Sequence, residues 1–529
     1  MIDWFREFFW YTALRRIVTS VVVLVLLAAA GVAGYALYTP DLHCAKGVDR
    51  PEKGAECIGV NGEGYDFGMP ALTDVARAIQ RENKRVAGTK YATVALLLPL
   101  TTADGSMQDK VLHDVQGAFL EQYRANEDPT DGRLPKIRLV LANSGTGNAH
   151  ADDVVRRLER MTGDPDRLRA VSGVATSDRA TKAAVRELTG HHIPVVGSTI
   201  SADDLANGPG NPFPGLARVS PTNTDEAAAL AGYSAVAPEK AVLVYDDGTD
   251  DNYITTLKKA FVRMLKGTPN DSQSFTSPAD RSQEGDTAVP LAKIAALVCD
   301  DMRSTDTVYF AGRHTQLRQF VNQLGRLRCN DRPMTVITGD EGSYLSRDTK
   351  LDRSAFDSRN GKSTVTVRYA ALAHPDAWQA VKARSGGKDV HPPATGGDET
   401  TFKPFHDLIV KAAGSKVGPI GAADGKPLTD GQAIVAYDAM ATAVQGIRTA
   451  ADGKLPTLSQ VGSQWRYVQG RTHRVNGVSG WICLDKYGNP YDKAVPIVKL
   501  GKDGSPVFVK IAWPTKKLPD QDCLTHTDS

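Results

Sequence analysis

The chain opens with an uncharged apolar segment and then changes character. Residues 17–38 are 22 consecutive positions without a charged side chain. A helix of that length is about 33 Å long, which matches a hydrocarbon core of about 30 Å. Arg6, Arg15 and Arg16 lie before it, so the positive-inside rule predicts that residues 1–16 are cytoplasmic and that the remainder is extracellular. The pattern therefore predicts a single-pass anchor in the cell membrane.

Two other interpretations of this segment stay open. A cleaved signal peptide would have a shorter apolar region, of about 7–15 residues, that ends in a small-x-small site. Lipid attachment at Cys44 is the other alternative, but Asp41, Leu42 and His43 do not resemble a lipobox. An uncleaved anchor is favoured.

From Tyr91 onward, short apolar runs alternate with amphipathic helical patterns. Continuous Val, Ile and Leu runs are typical of strands buried on both faces, and strand–helix alternation predicts parallel sheets. There are more strands than one ordinary sheet holds, which favours two α/β lobes. The strand candidates are residues 93–98, 137–142, 170–172, 194–196, 241–245, 307–310, 334–338 and 365–371.

The same pattern predicts how the chain divides. Residues 39–90 hold a polar stretch and one helical pattern, and we expect an extracellular stalk or collar there. We expect a first lobe from residues 91–236 and 375–465, and a second lobe from residues 237–374 and 466–529. The predicted fold class is α/β, with two Rossmann-like parallel-sheet lobes and a hinge, preceded by one N-terminal transmembrane helix.

Composition and charge exclude several classes of protein. The 529 residues are 41% hydrophobic, 23% charged and 7% aromatic, unlike a disordered or collagen-like chain. Lys and Arg number 63 against 61 Asp and Glu, a net charge of +2. A nucleic-acid-binding protein would usually carry a concentrated basic excess, so we expect no nucleic-acid partner.

Six cysteines fall as near neighbours along the chain, which suits an exported domain with disulfides. More than one pairing is possible, and we predict the sequential one. No cysteine lies in a CxxC motif or a Cys/His cluster, so we expect no zinc site, no thiol chemistry and no cofactor. The predicted disulfides are Cys44–Cys57, Cys299–Cys329 and Cys483–Cys523.

Motifs of known catalytic sites are incomplete. Residues 361–363 end like a phosphate-binding loop, but Phe356 stands where that motif needs glycine. Ser385 and Lys388 have S-x-x-K spacing without the helix or partner motifs of a β-lactamase-like site. The acidic run at 246–251 lacks the ligand spacing of an EF-hand, which favours a solvated loop. We therefore expect a protein that is not an enzyme.

Polar side chains follow the predicted strands at their carboxyl ends, where open α/β sheets bind ligands. In the first half they are hydroxyls and small residues at loop-to-helix junctions, where free backbone N–H groups favour an anion. Each Ser or Thr alone is also explained as a helix N-cap, but the repetition at successive strand ends predicts a ligand site. The set is Thr101, Thr102, Ser177, Ile200, Ser201, Tyr253, Arg313, His314, Asp340 and Glu341.

A series of longer motifs recurs in a fixed order along the chain. They include VALLLPLT at 94–101, G-x-x-x-S-x-x-x-T at 173–181, IPVVGSTIS at 193–201, RVSPTNTDEAAALAGY at 218–233, VYFAG at 308–312, TGDEG at 338–342, AYDAMATAV at 436–444 and GVSGWICLDKYGNP at 477–490. Their order resembles the type I periplasmic binding proteins, specifically the branched-chain amino-acid-binding proteins of ABC importers. The resemblance implies a two-lobed fold that closes on its ligand, here in a membrane-anchored variant of actinobacterial type.

The resemblance also implies roles for individual residues. Ser177 would hold the carboxylate of an amino-acid ligand, with help from Ile200 and Ser201. Tyr253 would close over the ligand from the second lobe, and Glu341 would receive the ligand's ammonium group. An Arg-His pair replaces an aromatic residue of the family pattern, which implies a more polar ligand. With Thr101, Thr102 and His314, these residues form the predicted ligand-binding set.

The expected function is capture of a small polar ligand, an amino acid or a related amine or carboxylate, in the cleft between the lobes. The expected partner is the permease of an ABC importer. Ligand sensing is an alternative, and it would need a signalling partner because only about 16 residues precede the anchor. A cell-envelope hydrolase is a remote third interpretation.

Overall fold

The computed structural model describes residues 12–38, 42–102, 104–127, 134–233, 236–248, 251–278, 284–300, 304–359, 362–382, 389–413, 417, 420 and 428–524. The chain separates into two compact units, the first ending at Cys57 and the second beginning at Ile58.

The first unit contains one long helix and a small hairpin. Helix α1 spans Ala13–Tyr38 and includes the apolar segment predicted from the sequence. Strands β1 (His43–Ala45) and β2 (Val48–Asp49) pair antiparallel. Within the residues whose side chains are described, no helix is both long and apolar enough to cross a membrane.

The second unit contains the elements that build the two lobes. Its strands are β3 (Ile58–Asn61), β4 (Tyr91–Leu98), β5 (Lys136–Asn143), β6 (Leu168–Gly173), β7 (Val195–Gly197), β8 (Leu216–Arg218), β9 (Ala241–Asp246), β10 (Gln273–Phe275), β11 (Thr307–Ala311), β12 (Met334–Thr338), β13 (Ser358–Arg359), β14 (Lys362–Ser363), β15 (Val365–Ala370), β16 (Val381–Lys382), β17 (Asp389–Val390), β18 (Val475–Gly477), β19 (Gly480–Ile482), β20 (Val495–Leu500) and β21 (Pro506–Ala512). Its helices are α2 (Thr73–Val86), α3 (Gly105–Glu127), α4 (Ala151–Arg160), α5 (Arg179–Gly190), α6 (Asn223–Tyr233), α7 (Asn252–Met264), α8 (Gly285–Asp300), α9 (His314–Leu327), α10 (Phe402–Ala413), α11 (Gln432–Ala450), α12 (Leu458–Gly462) and α13 (Gly470–His473).

The first lobe is built on a mainly parallel sheet. Within the second unit its strands run in the order β3-β5-β4-β6-β7-β8, and only β3 is antiparallel to its neighbour. Val94, Leu96 and Val171 are fully buried, as the continuous apolar runs predict. Asn83 of α2 donates a hydrogen bond to the Leu139 carbonyl of β5 at 2.7 Å. Helix α2 and strand β3 therefore belong to this lobe, whereas the sequence placed residues 39–90 in a stalk.

The second lobe is built on another mainly parallel sheet, in the order β10-β9-β11-β12-β15-β20-β21. Strands β9 to β12 and β15 run parallel, and β20 and β21 add an antiparallel edge. Val242, Phe310 and Val336 are fully buried in its core. All eight predicted strands occur in the two lobes, and their ends differ from the prediction by at most two residues.

The chain passes between the lobes earlier than the sequence predicted. Ala227 and Leu230 of α6 pack in one core cluster with Leu243 of β9, so α6 lies with the second lobe. The hairpin β18–β19 lies against α11 of the first lobe, since Asp438 accepts bonds from the amides of Val478 and Ser479 at 2.9 and 2.8 Å. Apolar packing places α6, and hydrogen bonds to Asp438 place the hairpin.

The three predicted disulfides are present. Cα–Cα distances are 6.1 Å for Cys44–Cys57, 4.5 Å for Cys299–Cys329 and 6.2 Å for Cys483–Cys523, all within the range that disulfide geometry allows. Cys299 lies at the end of α8 and Cys329 just after α9, so this disulfide ties two helix ends at the amino edge of the second sheet. It lies away from the interlobe cleft, as predicted.

Candidate functional site

The carboxyl ends of the parallel strands of both lobes meet at the interlobe cleft. The first lobe contributes the start of α3 and the loops after β6 and β7. The second lobe contributes the starts of α7 and α9 and the 3₁₀ segment Asp340–Arg347 after β12. Polar side chains lie there because each buried strand ends at this edge of its sheet and is followed by a loop.

Arg313 joins the two lobes. Its guanidinium donates two hydrogen bonds to Asp251, both at 2.8 Å, and a third to Glu341 at 2.6 Å. Across the cleft, Nη2 donates to the Ser177 carbonyl at 3.2 Å, and the guanidinium lies 4.7 Å from the centre of the Tyr253 ring. The planar fork of arginine suits this pattern, because it satisfies two carboxylates and a carbonyl at once.

The ion pairs of Arg313 dominate the electrostatics of the cleft. Burial opposes the guanidinium charge, but Asp251 and Glu341 outweigh it and raise the pKa of Arg313 well above its usual value. Burial likewise opposes the Glu341 charge, yet Arg313 and His314 hold the pKa of this carboxyl below its usual range. Both groups are therefore charged at neutral pH.

His314, the first residue of α9, extends this network to the first lobe. Its Nδ1 lies 3.1 Å from Glu341 Oε2, and its Nε2 lies 3.1 Å from Ser106 Oγ and 3.4 Å from Asp104 Oδ2. Burial lowers the pKa of His314, but the hydrogen bonds to Asp104 and Glu341 outweigh burial and raise it to about 9. His314 thus acts as a second cation that holds the lobes together.

Ser177 contacts both lobes through its backbone and side chain. Its carbonyl accepts a hydrogen bond from the Tyr253 amide at 3.0 Å, across the cleft. Its hydroxyl accepts from the Ala202 amide at 3.3 Å, and no described residue accepts the hydroxyl hydrogen. The N-cap of α5 is Asp178, whose carboxylate accepts from the Thr181 amide at 2.7 Å. Capping therefore does not explain the serine.

The other predicted residues of the first lobe shape its cleft loops. Ser201 donates to Asp340 Oδ1 at 3.3 Å, another bond between the lobes. The Ile200 carbonyl accepts from buried Arg218 at 3.1 Å. Thr101 and Thr102 are half-buried in the loop after β4, where their carbonyls accept bonds from Thr146 and Gln108 at 3.0 and 2.9 Å. Ser201 thus lies at the cleft contact, and the two threonines line its edge.

Two carboxyl groups lie beneath the cleft. Glu226 of α6 accepts a hydrogen bond from the Asp340 amide at 3.1 Å. Burial raises the pKa of both carboxyls, with further repulsion from Asp340 on Glu226 and from Glu341 on Asp340. The residue between β12 and Asp340 must be glycine, because a Cβ at Gly339 would lie 2.7 Å from Tyr253 Oη and 2.9 Å from Glu226 Oε2. The close packing here positions Asp340 and Glu341.

The structure brings Ser177, Ser201, Tyr253, His314 and Glu341 together but gives Glu341 partners within the chain. Both of its carboxylate oxygens are bound. Oε1 accepts from the Arg313 guanidinium, and Oε2 accepts from the His314 backbone amide at 3.0 Å and contacts the His314 imidazole. A ligand ammonium would have to displace these donors. Tyr253 is 1% exposed, beneath the same guanidinium.

Asp251 is the residue that sequence reasoning missed most clearly. The sequence predicts a solvated loop at 246–251, but Asp246 and Asp251 are buried, with exposures of 4% and 2%. Asp251 caps α7 through the Ile254 amide at 3.3 Å and binds Arg313. Its position just before a helix was the available signal. No group of His, Cys, Asp or Glu in the described part of the chain could hold a metal ion.

A separate cavity of about 330 Å³ lies on the first lobe, away from these residues. Trp465, Leu216, Arg466, Lys486 and His192 are among its lining. None of the predicted ligand-binding residues lines it.

Comparison with known proteins supports the fold. No family model and no curated protein matches the sequence. Among solved structures, the chain is similar to the leucine-binding protein LivK of Thermotoga maritima, with a TM-score of 0.57 and 17% identity over 80% of this chain and 100% of that one. The branched-chain amino-acid-binding LivJ of Streptococcus pneumoniae, solved with isoleucine, matches with a TM-score of 0.54 and 16% identity over 80% and 100%.

A third match has a different bound compound. A solute-binding protein of an ABC transporter from Rhodopseudomonas palustris, in complex with 3,4-dihydroxybenzoic acid, matches with a TM-score of 0.53 and 14% identity over 80% of this chain and 98% of that one. All three are binding proteins by description. The chain therefore has the two-lobed α/β fold of type I periplasmic binding proteins, as the sequence predicted.

Removal of the Arg313 guanidinium should destabilise the protein strongly. Arg313→Met leaves the buried carboxylates of Asp251 and Glu341 without their cation, so we expect the free energy of unfolding to fall by about 3–5 kcal/mol in urea denaturation. The triple variant Arg313→Met, Asp251→Asn, Glu341→Gln should recover most of that loss, because it removes the two carboxylates that the guanidinium neutralises and His314 keeps Asp104 as its partner. A single variant within about 1 kcal/mol of the parent would contradict this account.

Protonation of His314 should stabilise the protein at low and neutral pH only. Because its pKa is raised to about 9 from a usual 6.5, its contribution is fully present below about pH 6.5 and is lost as pH rises through about 9. The difference in unfolding free energy between the parent and His314→Gln should be on the order of 3 kcal/mol at about pH 6 and near zero above about pH 10. A difference that does not change with pH would show that the imidazole is neutral.

Proposed function

We propose that this protein is a solute-binding protein that captures a small polar ligand between its two lobes and delivers it to the permease of an ABC importer. The ligand is an amino acid or a related amine or carboxylate. Binding involves no chemical conversion of the ligand.

The Ser177 hydroxyl is the observation that carries this proposal. It is almost fully buried at the end of a strand, it accepts a backbone hydrogen bond, and its own hydrogen has no acceptor among the described residues. A buried donor without an acceptor costs about 1–3 kcal/mol, so an acceptor that a ligand supplies would stabilise this hydroxyl. The neighbouring Thr199 hydroxyl is also buried and has no partner in the described chain.

Ligand capture by this site requires the lobes to separate. Direct bonds from the second lobe already reach Ser177 and Ser201, so the described conformation is closed. Hinge opening would break these few polar contacts and expose the serine hydroxyls to solvent. A ligand carboxylate that binds there would then replace contacts made by the protein itself.

The compounds in the matching structures support a carboxylate-bearing ligand. Isoleucine and 3,4-dihydroxybenzoic acid, named with two of the matches, share a carboxylate and differ in the amine. A carboxylate accepts hydrogen bonds from hydroxyl and backbone N–H donors, the chemistry offered by the loops after β6 and β7.

We also propose that residues 17–38 anchor the protein in the cell membrane, with the N-terminus in the cytoplasm and the lobes outside the cell. This part of the proposal rests on the sequence: 22 positions without a charge, preceded by Arg15 and Arg16.

A ligand screen on the full-length protein in detergent micelles tests the proposed function. At least one amino acid, amine or organic carboxylate should raise the melting temperature, and calorimetry should give its affinity. Ser177→Ala should weaken that affinity about 10- to 150-fold, since a hydrogen bond to a charged group is lost. Ser463→Ala, an exposed serine of the same lobe, should leave it unchanged.

Two results would contradict the proposal. One is the absence of any stabilising solute across the panel. The other is an unchanged affinity in Ser177→Ala, which would place the binding site elsewhere.

A further inference from the structure

A second set of polar side chains faces the cleft from helix α3. Ser106, Lys110 and Asp114 are four residues apart and so lie on one face of the helix. Ser106 bonds His314, and the Lys110 ammonium lies 5.1 Å from the centre of the Tyr344 ring in the second lobe. The Tyr344 hydroxyl accepts a bond from Gln432 Nε2 at 3.1 Å. This face of α3, which we call the wall, therefore contacts the second lobe across the cleft.

Two opposite charges on this wall lack hydrogen-bond partners. Lys110 is 5% exposed, and its ammonium donates to no described residue. Asp114 is fully buried, and neither carboxylate oxygen has a partner in the described chain. Gln432 Oε1 is a third buried acceptor without a partner. Unmatched charges in such surroundings are costly, which indicates that something else binds them.

The neighbouring charges do not resolve this mismatch, because they have partners of their own. Asp430 is bound by His113 and lies 3.3 Å from Arg347, which also lies 3.4 Å from Asp109. Lys110 attracts Asp114 and opposes the rise in the pKa of that carboxyl, but neither Asp114 oxygen has a hydrogen bond in the described chain.

We propose that Lys110 and Asp114 bind the two ends of one zwitterionic solute, with its carboxylate on Lys110 and its ammonium on Asp114 and Gln432 Oε1. This inference rests on the proposed function and assigns the charge recognition to α3. Residues one helical turn apart have their Cβ atoms about 5–6 Å apart, a distance that a short amino acid can bridge.

The two lobes control access to this pair. Lys110 and Asp114 belong to the first lobe, whereas Tyr344 covers the lysine from the second. Opening of the hinge would uncover the ammonium, and closure would return the tyrosine ring over it. Asp114 takes the place of Glu341 as the partner of the ligand ammonium, because Glu341 is neutralised within the chain.

Binding of an ammonium should release a proton from Asp114. Burial raises the pKa of this carboxyl to about 7, and the charged or titratable groups facing it are Lys110, His113, Asp430 and Tyr344. Near pH 7 the acid is partly protonated, so a bound ammonium would displace its proton to the buffer. Affinity for zwitterions should therefore increase as pH rises through about 7.

The test uses full-length protein in micelles and calorimetric titration with glycine, β-alanine, γ-aminobutyrate and a mixture of the protein amino acids. Propionate and ethylamine carry one charge each and should bind far more weakly than the best zwitterion. Lys110→Met should weaken that zwitterion at least about tenfold, and Asp114→Asn should do the same and abolish the pH dependence. Lys258→Met, which removes a lysine paired with Asp247 outside the cleft, is the matched control and should not change the affinity.

A second readout does not depend on folded variants. Titration of the parent protein in buffers of different ionisation enthalpy should show proton release on zwitterion binding. If zwitterions bind the parent, but both variants bind equally well and no proton is released, this inference fails and the proposed function stands. If no solute of either charge type binds the parent protein, both fail. If propionate alone binds, the ligand is a simple anion and the zwitterion assignment is wrong.

Discussion

Arg313 is the interaction on which the closed arrangement of the two lobes depends. Its guanidinium neutralises two buried carboxylates in the second lobe and reaches a backbone carbonyl in the first. Without this cation, the buried carboxylates of Asp251 and Glu341 would each lose an ion pair, which is strongly destabilising. Because His314 follows directly in the chain, one helix start supplies two cations of the cleft.

This arrangement changes how a ligand site should be sought in the molecule. Glu341 has the position expected for ligand recognition, yet its charge is matched by the protein itself. Groups with incomplete hydrogen bonding in the described chain include the Ser177 and Thr199 hydroxyls, the Lys110 ammonium and the Asp114 carboxylate. These groups lie on the first lobe, and Tyr253 and Tyr344 cover two of them from the second. A binding cleft of this kind is defined by polar groups whose bonding is incomplete in the closed protein.

The sequence was most informative where a pattern is local. Buried strands are visible in the sequence as apolar runs, and all eight predicted strands occur. The three disulfides predicted from neighbouring cysteines occur as well. Strand ends located Ser177, Tyr253 and Glu341 for the same reason. Features that depend on tertiary packing were missed. In the sequence Asp251 resembles an ordinary loop acid, and only the structure shows its ion pair with Arg313. Helix α6 belongs to the second lobe and not to the first, because Leu230 packs in one cluster with Leu243. Lys110 and Asp114 lie within an ordinary amphipathic helix pattern, and the sequence does not show that their side chains have incomplete hydrogen bonding in the fold.

Hydrogen exchange at the Tyr253 amide, in the solute-free full-length protein, tests most directly whether these polar contacts hold the lobes closed. Tyr253 is the second residue of α7, where an amide has no partner within its own helix, so its bond to the Ser177 carbonyl reports closure alone. The account predicts that this amide is protected as strongly as that of Leu257 in the same helix. Exchange at the rate of an unprotected amide, with Leu257 still protected, would show that the lobes are open and that Arg313 does not hold them together.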